Sequence, residues 1–232
     1  MHRFFAPQDQ IPTITGSDAH QIKNVLRLKI GDQIELLDGT GKIHTSKIIK
    51  IEQNKIDCEI LTTKQDKAES KIKVTLAQCL PKAKKMDLII QKCTELGVNQ
   101  IIPTLSERSI AKGEKADRWQ KIAKEAAEQS GRSIIPEISP LTKFEDVLKM
   151  KSNFDLALIP WELEKETSLK SILTTYQPIK LLVLIGPEGG FSQEEIELAQ
   201  QAGFTSVSLG QRILRTETAG MAILAMIIYA SE

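Results

Sequence analysis

From residue 71 onward the chain alternates apolar runs of strand length with amphipathic stretches of helix length, and this alternation limits its possible folds more than any other feature. Residues 72–80 (IKVTLAQCL) read as a strand ended by Pro81. Residues 84–96 follow as a helix, with Met86, Ile89, Ile90, Cys93 and Leu96 on one face and Gly97 as its stop. Ile101 and Ile102 begin a short strand, and residues 116–130 form a helix with Trp119, Ile122, Ala123 and Ala126 in phase. Two buried-strand runs, 154–160 (FDLALIP) and 180–186 (KLLVLIG), come next. A helix over 192–202 is opened by the capping box Ser192-x-x-Glu195 and closed by Gly203. A short strand over 207–209 and a last helix, capped by Thr216 or Thr218 and reaching Tyr229, complete the series. Strand–helix alternation of this kind predicts a mostly parallel sheet covered by helices on both faces.

The first seventy residues have a different pattern. Short alternating runs over 33–37 (QIELL), 42–51 (KIHTSKIIKI) and 55–61 (KIDCEIL) are separated by turn residues such as Asp38-Gly39-Thr40-Gly41. They predict a small β-barrel or sandwich. Residues 18–29 read as one helix with Ile22, Val25 and Leu26 on a common face, and the polar stretch 62–70 as a linker. Two domains are therefore expected, 1–70 and 71–232.

Charge narrows the partner class. Thirty-one Lys+Arg against 30 Asp+Glu leave a net charge of +1, which excludes a nucleic-acid coater that binds through bulk positive charge. The balance is uneven along the chain. Residues 71–92 carry six lysines against the single acid Asp87, whereas 187–203 carry four glutamates and no base. The three cysteines are widely spaced with no C-x-x-C pair, so neither a zinc ribbon nor a disulfide framework is expected. The start of the chain has no apolar signal segment. The longest apolar run, 219–230 (AGMAILAMIIYA), is shorter than the roughly 20 residues a bilayer span needs. A soluble, cytoplasmic protein is expected. That same run leaves the last helix without a polar face, so it is either central in its domain or covered by a second subunit.

Two Gly-rich strand exits carry the chemistry. The first, Ile185-Gly186-Pro187-Glu188-Gly189-Gly190-Phe191-Ser192, lies between an apolar strand and a capped helix. In an open α/β sheet, ligands bind at the C-terminal strand ends, where glycines let the backbone approach them. It matches neither a P-loop nor G-x-G-x-x-G, and a turn requiring positive φ accounts for Gly189 and Gly190 equally well. The second, Leu209-Gly210-Gln211-Arg212-Ile213-Leu214-Arg215-Thr216-Glu217-Thr218-Ala219, again joins a strand to a helix.

Together, IGPEGGFS and LGQRILRTETA resemble the paired signature of the bacterial ribosomal RNA small subunit methyltransferase E family, within the knotted SPOUT class. Further stretches fit along the whole chain: Arg3-Phe4-Phe5, HQIKNVLR from His20, KAKKMD from Lys82, QKCTELG from Gln91, Glu107-Arg108-Ser109 and EAAEQSGR from Glu125. The resemblance implies a PUA-like β-barrel followed by an α/β domain with a trefoil knot. It implies a homodimer, which agrees with the apolar last helix. The implied activity is transfer of a methyl group from S-adenosylmethionine to N3 of the uridine at position 1498 of 16S rRNA in the small ribosomal subunit. No metal and no membrane are implied.

Uracil N3 carries a proton and is a poor nucleophile until it is lost, so a base or a cation that favours the anionic ring is needed. Arg215, to polarise a uracil carbonyl, and Glu217, to take the N3 proton, are the candidates; a structural ion pair at a helix start is the alternative reading. By the resemblance, the cofactor is held by Leu184, Ile185 and Gly186, by the loop Glu188, Gly189 and Gly190, and by Leu209, Gly210, Ile213 and Leu214. The exit Ile159-Pro160-Trp161-Glu162 forms a third loop at the same edge, with Trp161 packing on the pocket. RNA phosphates are assigned to Arg3, Lys23, Arg27 and Lys29 on the barrel, and to Lys82, Lys84, Lys85, Arg108 and Arg132 on the second domain. The competing readings are a non-catalytic RNA-binding assembly factor and a SPOUT enzyme acting on another RNA.

Overall fold

The computed structural model describes residues 1–66, 69–83, 85–109, 113, 115–176 and 178–231. The contacts within the chain divide it into two units, Met1–Glu69 with Ala127–Ile135, and Ser70–Ala126 with Pro136–Glu232.

The first unit is built on β1 (Arg3–Phe5), β2 (Thr13–Thr15), β3 (Gln33–Leu37), β4 (Lys42–Ile51) and β5 (Lys55–Gln65), in the sheet order β1-β3-β4-β5-β2. β1 runs parallel to β3, and the other pairings are antiparallel. Side-chain alternation sorts the residues to two faces. Phe4, Ile34, Leu36, Ile48 and Ile56 enter one core cluster, while Phe5, Leu37 and Ile43 meet Ala127 and Ile135 on the other side. Register shifts at Thr45/Ser46 and Ile48/Lys50 interrupt the long β4–β5 ladder, as bulges do where a sheet bends. The Asp38 turn forms as its sequence predicts: the carboxylate accepts from the N–H of Thr40 at 2.8 Å and of Lys42 at 3.3 Å.

Two expectations for this unit need correction. The helix expected over 18–29 is α1 (Gly16–His20), which widens into a π-helical turn over Gln21–Val25 and then stops. Leu26 N–H donates to Gln21 O, and Arg27 turns the chain at φ 54°, so Leu28 meets the core from outside the helix. Of the expected apolar face, Ile22 is buried and Leu26 packs on the core, but Val25 is 66% exposed, and Leu28 takes its place in the packing. The polar stretch expected to be a linker is strand as far as Gln65, because β4 offers it a full ladder out to Lys42.

The second unit contains β6 (Lys73–Cys79), α2 (Lys85–Glu95), β7 (Gln100–Leu105), α3 (Ala116–Ser130, whose last residues belong to the first unit), β8 (Glu137–Ile138), β9 (Thr142–Lys143), α4 (Phe144–Lys149), β10 (Leu156–Pro160), α5 (Leu169–Thr175), β11 (Lys180–Ile185), α6 (Gln193–Gln201), β12 (Thr205–Val207) and α7 (Thr216–Ser231). Among the described residues every strand pairing in its sheet is parallel, in the order β12-β10-β11-β6-β7-β8, with β9 also on β7. Helices cover both faces, as the alternation predicts. Ala77, Cys79, Leu182 and Leu184 join Phe144, Phe191, Ile196 and Phe204 on the side of α4 and α6. On the other side α7 packs against α2, β6 and β11. There Gly220 lies so close to β6 that a Cβ would meet Gln78 Oε1 at 2.9 Å.

The helix signals divide into those that held and those that shifted. Ser192 caps α6 with the full capping box. Gly97 and Gly203 both take positive φ, and Val98 and Phe204 donate back to Cys93 and Ala199, which closes α2 and α6 in Schellman fashion. The strand expected over 207–209 lies two residues earlier, because it pairs with β10 at Leu158–Thr205 and Pro160–Val207. Neither Thr216 nor Thr218 is the N-cap of α7. Arg215 O receives the first helical bond, from Ala219 N–H, and Thr216 is the first helical residue.

Candidate active site

β12, β10 and β11 are adjacent and parallel, so their C-terminal ends open at one edge of the sheet. The three exits line a pocket of about 510 Å³, within the range of small-molecule sites. Ile185, Gly186, Glu188, Gly189 and Gly190 line it from the exit of β11, and Leu209, Gly210, Ile213 and Leu214 from the exit of β12. Pro160, Trp161 and Glu162 supply the third wall, and Trp161 also packs on the core cluster beneath. Leu184 is the exception among the expected cofactor residues. Strand alternation turns its side chain into the core with Phe191 and Ile196, away from the pocket.

The loop after β11 is held tightly. Gly190 N–H donates to Pro187 O at 3.0 Å, and Gly190 adopts φ +66°, where a Cβ would stand 2.8 Å from Glu162 Oε1. Gly186 is also confined: a Cβ there would stand 3.1 Å from the Phe191 ring. Thr216 Oγ1 donates to Gly186 O at 2.5 Å and accepts from Gln78 Nε2 at 2.9 Å. Gln78 is fully buried. This relay ties β6, the β11 exit and the start of α7 together. Sequence reading missed Gln78; the available signal was an amide in a strand buried from Val74 to Cys79, which has to find a partner there.

Glu188 folds back over the exit of β6. Burial opposes its ionisation, but the N–H of Lys82, its own N–H and the Lys85 ammonium hold the carboxyl below its usual range. Lys85 Nζ stands 3.2 Å from Glu188 and 3.2 Å from Glu217, and these carboxylates, Glu217 first, raise its own pKa. Lys85 and Arg215 line the pocket, whereas Glu217 stands behind Lys85 and does not. Arg215 is exposed and makes no ion pair among the described residues.

The cations expected to meet RNA fall into two groups. Lys23, Arg27 and Lys29 in the first unit and Lys82 in the second are exposed, Lys23 with a single long hydrogen bond to Glu52 O at 3.4 Å. Arg3, Lys85, Arg108 and Arg132 have strong internal partners. Arg3 binds Glu35 at 2.8 Å and Gly131 O, and Arg132, only 8% exposed, binds Glu69 at 2.8 Å. Arg108 donates to Gly189 O at 3.0 Å. Arg3 and Arg132 therefore serve as internal ties of the first unit. Lys84 lies outside the described residues. Among the described residues no group of His, Cys, Asp or Glu gathers as a metal site, and no helix is long and apolar enough to cross a membrane.

A family model described as an RNA methyltransferase domain matches residues 68–228, and one described as an RNA methyltransferase PUA domain matches residues 14–61. The chain is 37% identical to ribosomal RNA small subunit methyltransferase E of Bacillus subtilis, over 97% of this chain and 93% of that protein. It is 38% identical to the protein of that name from Synechocystis, over 93% of this chain and 72% of that one. Among solved structures, ribosomal RNA small subunit methyltransferase E from Neisseria gonorrhoeae bound to S-adenosyl methionine superposes with a TM-score of 0.87 at 34% identity, over 98% of this chain and 96% of that one.

A PUA-like unit joined to a parallel sheet with these strand exits is the architecture of the knotted SPOUT methyltransferases. Within that class, the chain belongs to the ribosomal RNA small subunit methyltransferase E family.

Proposed function

We propose that this protein methylates N3 of the uridine at position 1498 of 16S rRNA in the small ribosomal subunit, with S-adenosylmethionine as methyl donor. The observation that carries this reading is the convergence of three strand exits on one pocket of about 510 Å³. Its residues suit the cofactor. Leu209, Ile213 and Leu214 give an apolar wall for an adenine ring, and Gly190 holds φ +66°, so that part of the cradle depends on glycine.

When bound, S-adenosylmethionine supplies an electrophilic methyl on its sulfonium. The chain's own residues do the rest. The loops after β11 and β12 hold the cofactor and exclude water. Arg215, at the pocket wall, polarises a uracil carbonyl and favours the N3 anion. Glu217, paired with Lys85 behind the pocket wall, takes the N3 proton when that pair opens toward the substrate. Exposed Lys23, Arg27, Lys29 and Lys82, together with Lys84, contact RNA phosphates. The target base is splayed out of its stack so that its N3 edge is reachable.

The first unit, with residues 1–70 as its main body, serves as the RNA-binding domain, and 71–232, apart from Ala127–Ile135, as the catalytic domain. The working form is a cytoplasmic homodimer in which a second copy covers α7, where Met226 is 43% and Tyr229 84% exposed. Titration calorimetry of the protein with S-adenosylmethionine tests the cofactor site. Saturable binding at one site per chain is expected; absence of heat across the micromolar range contradicts it.

A further inference from the structure

The loop after β11 is braced by a residue that lines no part of the pocket. Arg108 stands in the turn after β7, and its Nη1 donates to Gly189 O at 3.0 Å and to Phe191 O at 3.4 Å. The opposite ends of the same two peptide groups are also fixed. Gly190 N–H donates to Pro187 O at 3.0 Å, and Ser192 N–H to Glu195 Oε2 at 3.0 Å. A peptide group is planar, so fixing its oxygen and its N–H fixes its orientation.

Glu195 closes the ring. Its carboxylate is buried, 5% exposed, and while Oε2 holds Ser192 N–H, Oε1 accepts from Glu107 N–H at 2.9 Å. Glu195 therefore anchors the backbone beside Arg108 to the same helix start that ends the Gly-rich loop. The circuit runs from Glu195 through Glu107 and Arg108 to the Gly189 and Phe191 carbonyls, and back through Ser192. Gly190, at φ +66°, sits inside it.

We infer that Arg108 is a positioning residue for the cofactor loop, acting through the Gly189 and Phe191 carbonyls and anchored by Glu195. The inference rests on reading the pocket as the S-adenosylmethionine site. An exposed arginine in an RNA enzyme invites assignment to a phosphate, as its sequence does here, but its described hydrogen bonds go to the loop.

The test compares Arg108→Met, Arg108→Lys and Glu195→Gln with the unaltered protein. Calorimetry reads S-adenosylmethionine affinity, steady-state kinetics separate KM for the cofactor from kcat, and RNA binding is measured across salt concentrations. Arg108→Met should weaken cofactor binding about tenfold or more, the usual scale for losing a hydrogen bond to a charged group. The change should appear in KM, with kcat at saturating cofactor largely retained, and Arg108→Lys should recover part of the loss. Glu195→Gln removes no cation, yet should reproduce the defect because an amide cannot accept from both N–H groups. The salt slope of RNA binding should stay that of the unaltered protein in Arg108→Met.

Unchanged cofactor affinity in Arg108→Met overturns the inference, as does a salt slope reduced by about one unit, the mark of a lost phosphate contact. So does a loss that Arg108→Lys relieves not at all. Failure of the unaltered protein to bind S-adenosylmethionine brings down the reading of the pocket itself, and the inference with it.

Discussion

Gly190 and Glu188, two residues apart in one loop, are fixed by different physics. Gly190 is held in the left-handed region, where an L side chain costs roughly 1–2 kcal/mol, and the Glu162 carboxylate in its way is the end of an exposed, movable side chain. The backbone term therefore dominates, and Gly190→Ala should weaken S-adenosylmethionine binding by about tenfold in calorimetry. Glu188 is fixed by charge. Its carboxyl is held below its ordinary value of 4.5, so its contribution to stability is complete above that value and is lost as pH falls through the lower folded-state value. The thermal midpoint of Glu188→Gln should lie below that of the unaltered protein at neutral pH, and the gap should close as the solution is acidified past 4.5. A gap that does not change with pH would assign the effect to packing instead. Glu217→Gln should abolish turnover while leaving cofactor binding intact; near-normal turnover would leave Glu217 only as the partner of Lys85. The residues facing the pocket were largely legible, since Gly-rich strand exits advertise themselves. Gln78 and the double pairing of Lys85 were not, because their partners come from a loop and a helix more than a hundred residues away.

Elements were legible where the chain carried its own punctuation. Ser192 with Glu195, Gly97 and Gly203 marked helix ends by local hydrogen bonding, and those ends hold in the structure. α4 and α5 span only six and seven residues, too few turns for a 3.6-residue period to stand out. β1 and β2, three residues each, exist because neighbouring strands supply their ladders. The last helix was legible as apolar all round, and one of its faces is indeed buried by Gly220, Ile223, Leu224 and Ile227. Its other face exposes Met226 and Tyr229, and the proposed homodimer places a second copy there. Tyr229→Glu paired with Met226→Glu should therefore convert a dimer to a monomer in analytical ultracentrifugation, because two unpaired charges would have to be buried there. A variant that sediments like the unaltered protein would place the dimer contact elsewhere.

Across the whole molecule, the near-zero net charge hides compensation as well as patterning. Lys85 of the 71–92 stretch and Glu188 of the later acidic stretch form an ion pair in the second unit, and the main-chain N–H of Lys82 binds the same carboxylate. Lys85 of the basic cluster thus goes into building the pocket, while Lys23, Arg27, Lys29 and Lys82, the cations proposed to meet RNA, are exposed. The parallel order of the second sheet followed from strand–helix alternation. The return of the chain after β12 to place Thr216 on Gly186 and Gln78 did not, because threading leaves no mark on local periodicity. The transferred methyl itself gives the most direct test. Small ribosomal subunits from a strain lacking this protein are incubated with it and S-adenosylmethionine, and nuclease fragments of their 16S rRNA are read by mass spectrometry. One methyl group on N3 of the uridine at position 1498, absent when the protein is omitted, is the predicted result; an unmodified uridine there, or a methyl on another base or on a ribose, contradicts the assignment.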